Sequence, residues 1–133
     1  MTTFPSIAHV ALTVTDLGTS VAWYNKVFDA EPAMELNDGD FQRKVYALPN
    51  GQLLGLTAHN AGASGERFSE RRPGLDHVSF ACANRDEVAS WERKLGELGI
   101  AHGGLTDAPY GAVLSFKDPD GNALELFAPA QGS

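Results

Sequence analysis

Two stretches of the chain alternate large apolar residues with small or polar ones, and each leads into a run of helical spacing. Between Ile7 and Val14 the even positions Val10, Leu12 and Val14 are large and apolar, while His9, Ala11 and Thr13 are small or polar, so a strand here has two unlike faces. Asp16 stands where a helix N-cap belongs, and Leu17, Val21, Tyr24 and Phe28 recur on one face, which predicts a first helix from about Leu17 to Phe28. The second stretch sets Val78, Phe80 and Cys82 against His77, Ser79 and Ala81. Asn84 then caps a second helix, Glu87 completes a capping box, Val88, Trp91, Leu95 and Leu98 form the apolar stripe, and Gly99 ends it. After each helix there is room for three short strands, at 32–37, 41–48 and 53–59 and again at 102–106, 111–117 and 123–128. Turn signals at Asn37-Asp38-Gly39, Asn50-Gly51 and Asp120-Gly121 punctuate them.

The two stretches are copies. Sliding the sequence by 68 places lays His9-Val10 on His77-Val78, Asp16 on Asn84, Trp23 on Trp91 and Lys26 on Lys94; further on an offset of 70 lays Pro49-Asn50-Gly51 on Pro119-Asp120-Gly121. A period this long, occurring twice, marks a duplicated half-domain and not a solenoid. The repeats cover 5–59 and 75–129, and the polar, glycine-bearing segment 60–74 connects them. The expected fold class is therefore α+β: two tandem βαβββ modules building an open, eight-stranded, barrel-like mixed sheet with the helices outside, the 133 residues making one domain.

Charge narrows the partners. Asp and Glu number 17 against 10 Lys and Arg, a formal net charge of -7, which speaks against nucleic acid and anionic membranes and leaves a small molecule. No apolar run approaches the roughly 18 residues of a membrane span, so a soluble, cytoplasmic protein is expected. The single cysteine, Cys82, lies in an apolar alternating run and reads as core.

Three polar residues break the pattern. His9 and His77 hold the same position in the two copies, on the faces that the helices leave free, and Glu125 sits between Leu124 and Leu126 in a strand too apolar to lie in water. A buried carboxylate needs a cation, a set of donors or a proton. Two imidazoles and one carboxylate make the facial set of Fe(II) or Mn(II) sites, which Zn, Ni or Co also accept. Taken one at a time, a strand histidine is more often a hydrogen-bonded structural residue and a glutamate a solvated one; their registration across the repeat favours a divalent metal site.

With HVALTVTDLGTSVAWYNKVFD, DHVSFACAN and FKDPDGNALELF in view, the sequence resembles the vicinal oxygen chelate superfamily, which includes glyoxalase I, bleomycin-resistance proteins, fosfomycin-resistance enzymes and extradiol dioxygenases. The resemblance covers nearly the whole chain and implies ligand positions at His9, Gly55, His77 and Glu125. A glycine supplies neither a fourth ligand nor a proton-transfer base, so the resemblance points away from glyoxalase I and toward enzymes working with three ligands. Those commonly carry a tyrosine ten residues before the carboxylate, where this chain has Ser115. It further implies that Arg43, Gly55, Val113 and Ser115 line a substrate pocket and that the protein is a homodimer; Arg43 then meets an anionic group, with a solvated surface arginine as the plainer alternative. His59, on the strand face of Gly55 and Thr57, is a candidate acid/base beside Glu125, with an ordinary strand-end histidine as the plainer alternative. Two functions remain open: a metal-dependent enzyme with dioxygenase-like, lyase or isomerase chemistry on vicinal oxygens, or a non-catalytic small-molecule or antibiotic binder resembling bleomycin-resistance proteins.

Overall fold

The structure, a computed structural model, describes residues 3–62 and 65–131. It divides into two compact units, Met1–Glu66 and Arg67–Ser133, the division falling inside the predicted connector.

In the first unit β1 (His9–Thr13) leads to α1 (Leu17–Phe28), β2 (Met34–Asn37), β3 (Phe41–Ala47) and β4 (Leu53–His59). The sheet order is β1-β4-β3-β2, with β1 parallel to β4 and the other pairs antiparallel. Asp16 caps α1 by accepting from the Thr19 amide at 2.9 Å. The helix ends on Asp29, held in the left-handed region at φ 49, with the Ala30 amide reaching back to the Asn25 carbonyl. Its inward stripe is centred on Ser20, Tyr24 and Val27, with Leu17, Val21 and Phe28 half-buried at its borders, a slight rotation from the predicted face. Leu12, Val14, Leu54 and Leu56 meet it from the sheet. Tyr46 ties sheet to helix, its hydroxyl donating to Asn25 Oδ1 at 2.8 Å.

The second unit repeats this plan: β5 (Val78–Ala81), α2 (Arg85–Glu97), β6 (Thr106–Ala108), β7 (Gly111–Lys117) and β8 (Ala123–Pro129), in the order β5-β8-β7-β6. At the start of α2, Asn84 accepts from the Glu87 amide at 2.9 Å while the Glu87 carboxylate accepts from the Ala83 amide at 2.8 Å. At its end, Gly99 at φ 72 lets the Ile100 amide reach the Leu95 carbonyl at 2.9 Å, closing a Schellman turn. Val88, Leu95, Leu114, Phe116, Leu124 and Leu126 form the core beneath α2, with Cys82 at its margin.

One strand departs from expectation. The predicted strand 102–106 is displaced to Thr106–Ala108, because Gly104 turns left-handed at φ 78 and the Leu105 amide goes to Glu92 Oε2 of α2 at 2.7 Å instead of to β7. Of the predicted segment, His102 keeps an isolated bridge to Phe116.

The register of β7 against β8 is set by the Asp118–Asn122 turn. The buried Asp118 carboxylate accepts from the amides of Asp120 (2.9 Å) and Asn122 (2.8 Å) and from the Asn122 side chain (2.9 Å). Lys117 therefore pairs with Ala123 and, two steps on, Ser115 with Glu125. Residues of the connector strap this turn: Phe68 donates its amide to the Asp120 carbonyl, and Arg67 its guanidinium to the Pro119 carbonyl.

Candidate functional site

In the second unit His77 directly precedes β5, and Glu125 lies in β8 opposite Ser79 on one side and Ser115 on the other. Parallel pairing of β5 with β8 thus puts the histidine and the glutamate on one face, where His77 Nε2 stands 3.4 Å from Glu125 Oε2. Both groups are held from behind. Ser79 donates to Glu125 Oε1 at 2.9 Å, and His77 Nδ1 lies 2.7 Å from Asp76 Oδ1. A carboxylate only accepts, so His77 Nδ1 carries a proton toward Asp76 and leaves Nε2 as the ring atom that faces Glu125. Either a proton on Nε2 or a metal cation joins the two groups. Nitrogen and oxygen ligands about 2.0–2.2 Å from one ion stand about 3.0–3.5 Å from each other, which the observed separation matches. The donor pair therefore fits a divalent metal, and side-chain exposures of 43% for His77 and 18% for Glu125 leave it reachable from solvent.

A cavity of about 660 Å³ opens beside this pair, lined among others by His77, Ser115, Lys117, Leu124 and Glu125. That is room for a small organic molecule. Val113, opposite Phe127, continues the face of Ser115 two residues away. His102 borders the cavity, with its Nδ1 accepting from the Gly104 amide at 3.0 Å.

The remaining predicted residues lie in the first unit. His9 opens β1, exposed and paired with Leu53. On the sheet face away from α1, Gly55 is flanked by Ala11 and Val45, and Thr57 by Thr13 and Arg43. A Cβ at Gly55 would lie 3.3 Å from Arg43 Cδ, so the stem of Arg43 fills the place where the family resemblance asks for a ligand side chain. Arg43 donates from Nε to Thr57 Oγ1 at 2.7 Å and lies over the Phe41 ring, 4.5 Å from its centre. His59 ends β4, exposed, its ring 6.3 Å from that of Phe41.

The structure thus joins His77, Glu125, Ser115 and Val113 on one face, and Arg43, Gly55 and His59 on another. Within either unit taken alone, no group of three His, Cys, Asp or Glu side chains forms a metal-binding cluster among the described residues. Sequence reasoning missed Asp76, Ser79, Lys117, Thr57 and Phe41. Asp76 is signalled only by its place before the repeated histidine, and the others emerge from strand pairing. Cys82 is 5% exposed and belongs to the core, and this burial pushes its thiol up to about 11, with the Glu87 carboxylate adding to the effect.

Two βαβββ units, each with its first strand parallel to its last and a histidine at the mouth of that strand, define a paired-module α+β architecture. The chain belongs to the glyoxalase/bleomycin resistance protein/dioxygenase superfamily, whose family model matches residues 6–126. It is similar to the metallothiol transferase FosB of Bacillus licheniformis, 32% identical over 127 residues that cover 90% of this chain and 73% of that protein. Among solved structures it resembles a glyoxylase/bleomycin resistance protein/dioxygenase domain from Frankia sp. EAN1pec, with 31% identity, a TM-score of 0.87 and coverage of 98% of this chain and 96% of the other. The fold is also that of a mutant of the fosfomycin resistance protein FosX from Listeria monocytogenes, complexed with Mn(II) and 1S,2S-dihydroxypropylphosphonic acid (22% identity, TM-score 0.68, coverage 97% and 96%). Among the described residues no helix is long and apolar enough to cross a membrane.

Proposed function

We propose that this chain is a metal-dependent enzyme that chelates two neighbouring oxygens of a small molecule, with His9, His77 and Glu125 as protein ligands. The observation that carries the reading is the approach of His77 Nε2 to Glu125 Oε2, each braced by its own partner, at the edge of a cavity sized for a small molecule. Two imidazoles and a carboxylate favour Fe(II) or Mn(II), with Zn, Ni and Co as acceptable substitutes. An ion held by these three side chains would supply Lewis acidity toward substrate oxygens. Asp76 keeps the His77 ring in its ligating tautomer, and Ser79 holds the Glu125 carboxylate. Ser115, across the strand from Glu125, offers a hydroxyl to the substrate, and Val113 an apolar wall. His59 is the candidate proton carrier of the first module. The reading takes both modules as one domain and the protein as a cytoplasmic homodimer.

One observation favours a second reading. The stem of Arg43 fills the space at Gly55, as suits a binding protein that sequesters its ligand without catalysis. Metal analysis of untagged protein separates the two. The enzyme reading expects close to one Mn or Fe per chain, lost in His77→Ala and in Glu125→Gln; preparations that never hold metal, even after incubation with Mn(II), leave the binder.

A further inference from the structure

We infer that the first module carries an oxyanion-binding site of its own, built from Arg43 on a floor opened by Gly55, and that the small molecule it takes bears a carboxylate, phosphate or phosphonate group. The inference goes beyond the metal reading and uses none of its ligands.

The backbone gives no reason for a glycine at position 55. Its φ lies outside the left-handed region, and it sits mid-strand in β4, where a side chain normally improves packing. What needs the glycine is Arg43: a Cβ there would meet Arg43 Cδ at 3.3 Å and Cγ at 3.6 Å, with Ala11 Cβ at 3.5 Å on the other side. Ala11 and Gly55, neighbours in the β1–β4 register, form a shallow trough in which the arginine stem lies flat.

The head of the side chain is fixed as firmly as the stem. Nε donates to the hydroxyl of Thr57, itself only 2% exposed, and the guanidinium plane rests on Phe41. An exposed arginine samples many rotamers, and this one is held in place by three contacts. Its two Nη groups, the prongs of the fork, have no acceptor among the described residues, although the chain carries 17 acidic side chains. A fixed, half-buried guanidinium that leaves its forked edge free matches the geometry of a bidentate oxyanion.

The experiment is a nitrogen-15 spectrum of the arginine Nε–H groups of the full chain, recorded with EDTA so that metal binding plays no part. The Arg43 signal is assigned by its loss in Arg43→Lys. Inorganic phosphate and sodium acetate are titrated separately at constant ionic strength, to tell a phosphate-type from a carboxylate site. The inference expects the Arg43 signal to exchange slowly with water and to shift saturably with at least one of the two anions, while the other arginine signals stay put. Gly55→Gln, which crowds the stem, and Thr57→Val, which removes the anchor at equal size, should each weaken that binding at least ten-fold. Circular dichroism confirms that each variant is folded, and either one suffices. An Arg43 signal that ignores both anions, one that moves no more than the other arginines, or unchanged affinity in a folded Gly55→Gln or Thr57→Val variant overturns the inference and leaves the metal reading untouched.

Discussion

Ser79 donates its hydroxyl proton to Oε1 of Glu125 at 2.9 Å, so one oxygen of the carboxylate is fixed while the other faces His77. Partners behind a metal ligand typically control ten- to hundred-fold in affinity. Ser79→Ala should therefore weaken Mn(II) binding about ten-fold, and Asp76→Ala, which frees the His77 ring to take its other tautomer, by a similar factor. Calorimetric titration with Mn(II) measures both; wild-type affinity in the two variants would show that neither partner positions its ligand.

Alkaline pH should weaken the fold in two overlapping steps. Burial, helped by Glu87, raises the Cys82 thiol from 9.0 to about 11; burial, helped by Glu31, raises the Tyr46 phenol from 10.0 to about 12. Between pH 9 and 11 the unfolded chain loses the thiol proton while the folded chain keeps it, so stability present below pH 9 is lost as pH rises. The loss from Cys82 alone is on the order of 2 kcal/mol by pH 11. Urea denaturation across this range checks it: Cys82→Ala should flatten the first part of the decline and leave the part that belongs to Tyr46.

Ser20 is 1% exposed on the inner side of α1, and its hydroxyl has no hydrogen-bond partner among the described residues. An unsatisfied buried hydroxyl costs about 1–3 kcal/mol, and alanine is the better helix former. Ser20→Ala should raise stability by about 1 kcal/mol, visible as a melting temperature higher by a few degrees. A lower melting temperature would mean that the hydroxyl is satisfied in solution.

Two glycine substitutions should behave oppositely. A Cβ at Gly111 would stand 2.2 Å from the Ala128 carbonyl oxygen and 2.8 Å from the Phe127 ring, so Gly111→Ala should cost about 3 kcal/mol or more and yield little folded protein. At Gly55 the Cβ would come within 3.3 Å of Arg43 Cδ and 3.5 Å of Ala11 Cβ, contacts that a shift of a few tenths of an ångström relieves, and Gly55→Ala should stay within about 1 kcal/mol of the parent. Expression yield and thermal melts of the pair decide the matter.

The duplication, the caps at Asp16 and Asn84 and the strand pair carrying Glu125 were all legible in the sequence, because they rest on periodicity and local hydrogen bonds. What stayed hidden depends on pairing. Thr57 reaches Arg43 only once β3 and β4 adopt their register, and nothing near Gly55 announces that an arginine stem will lie across it. The displaced β6 turned on a competitor: Glu92, 13 residues earlier on α2, claimed an amide that the strand pattern assigned to the sheet. The end of α1 at Phe28 was legible from its apolar spacing; only the left-handed Asp29 that stops it went unsignalled, a conformation this residue type tolerates.

His77 and Glu125 are 48 positions apart and become neighbours only through the parallel β5–β8 pair, which closes the largest loop in its module. Such distant contacts are slow to form, since chain entropy must be given up before they reward it. On the proposed metal reading, a nascent or half-folded second module offers the two donors separately, and tight capture of an ion would report that the β5–β8 pair has formed.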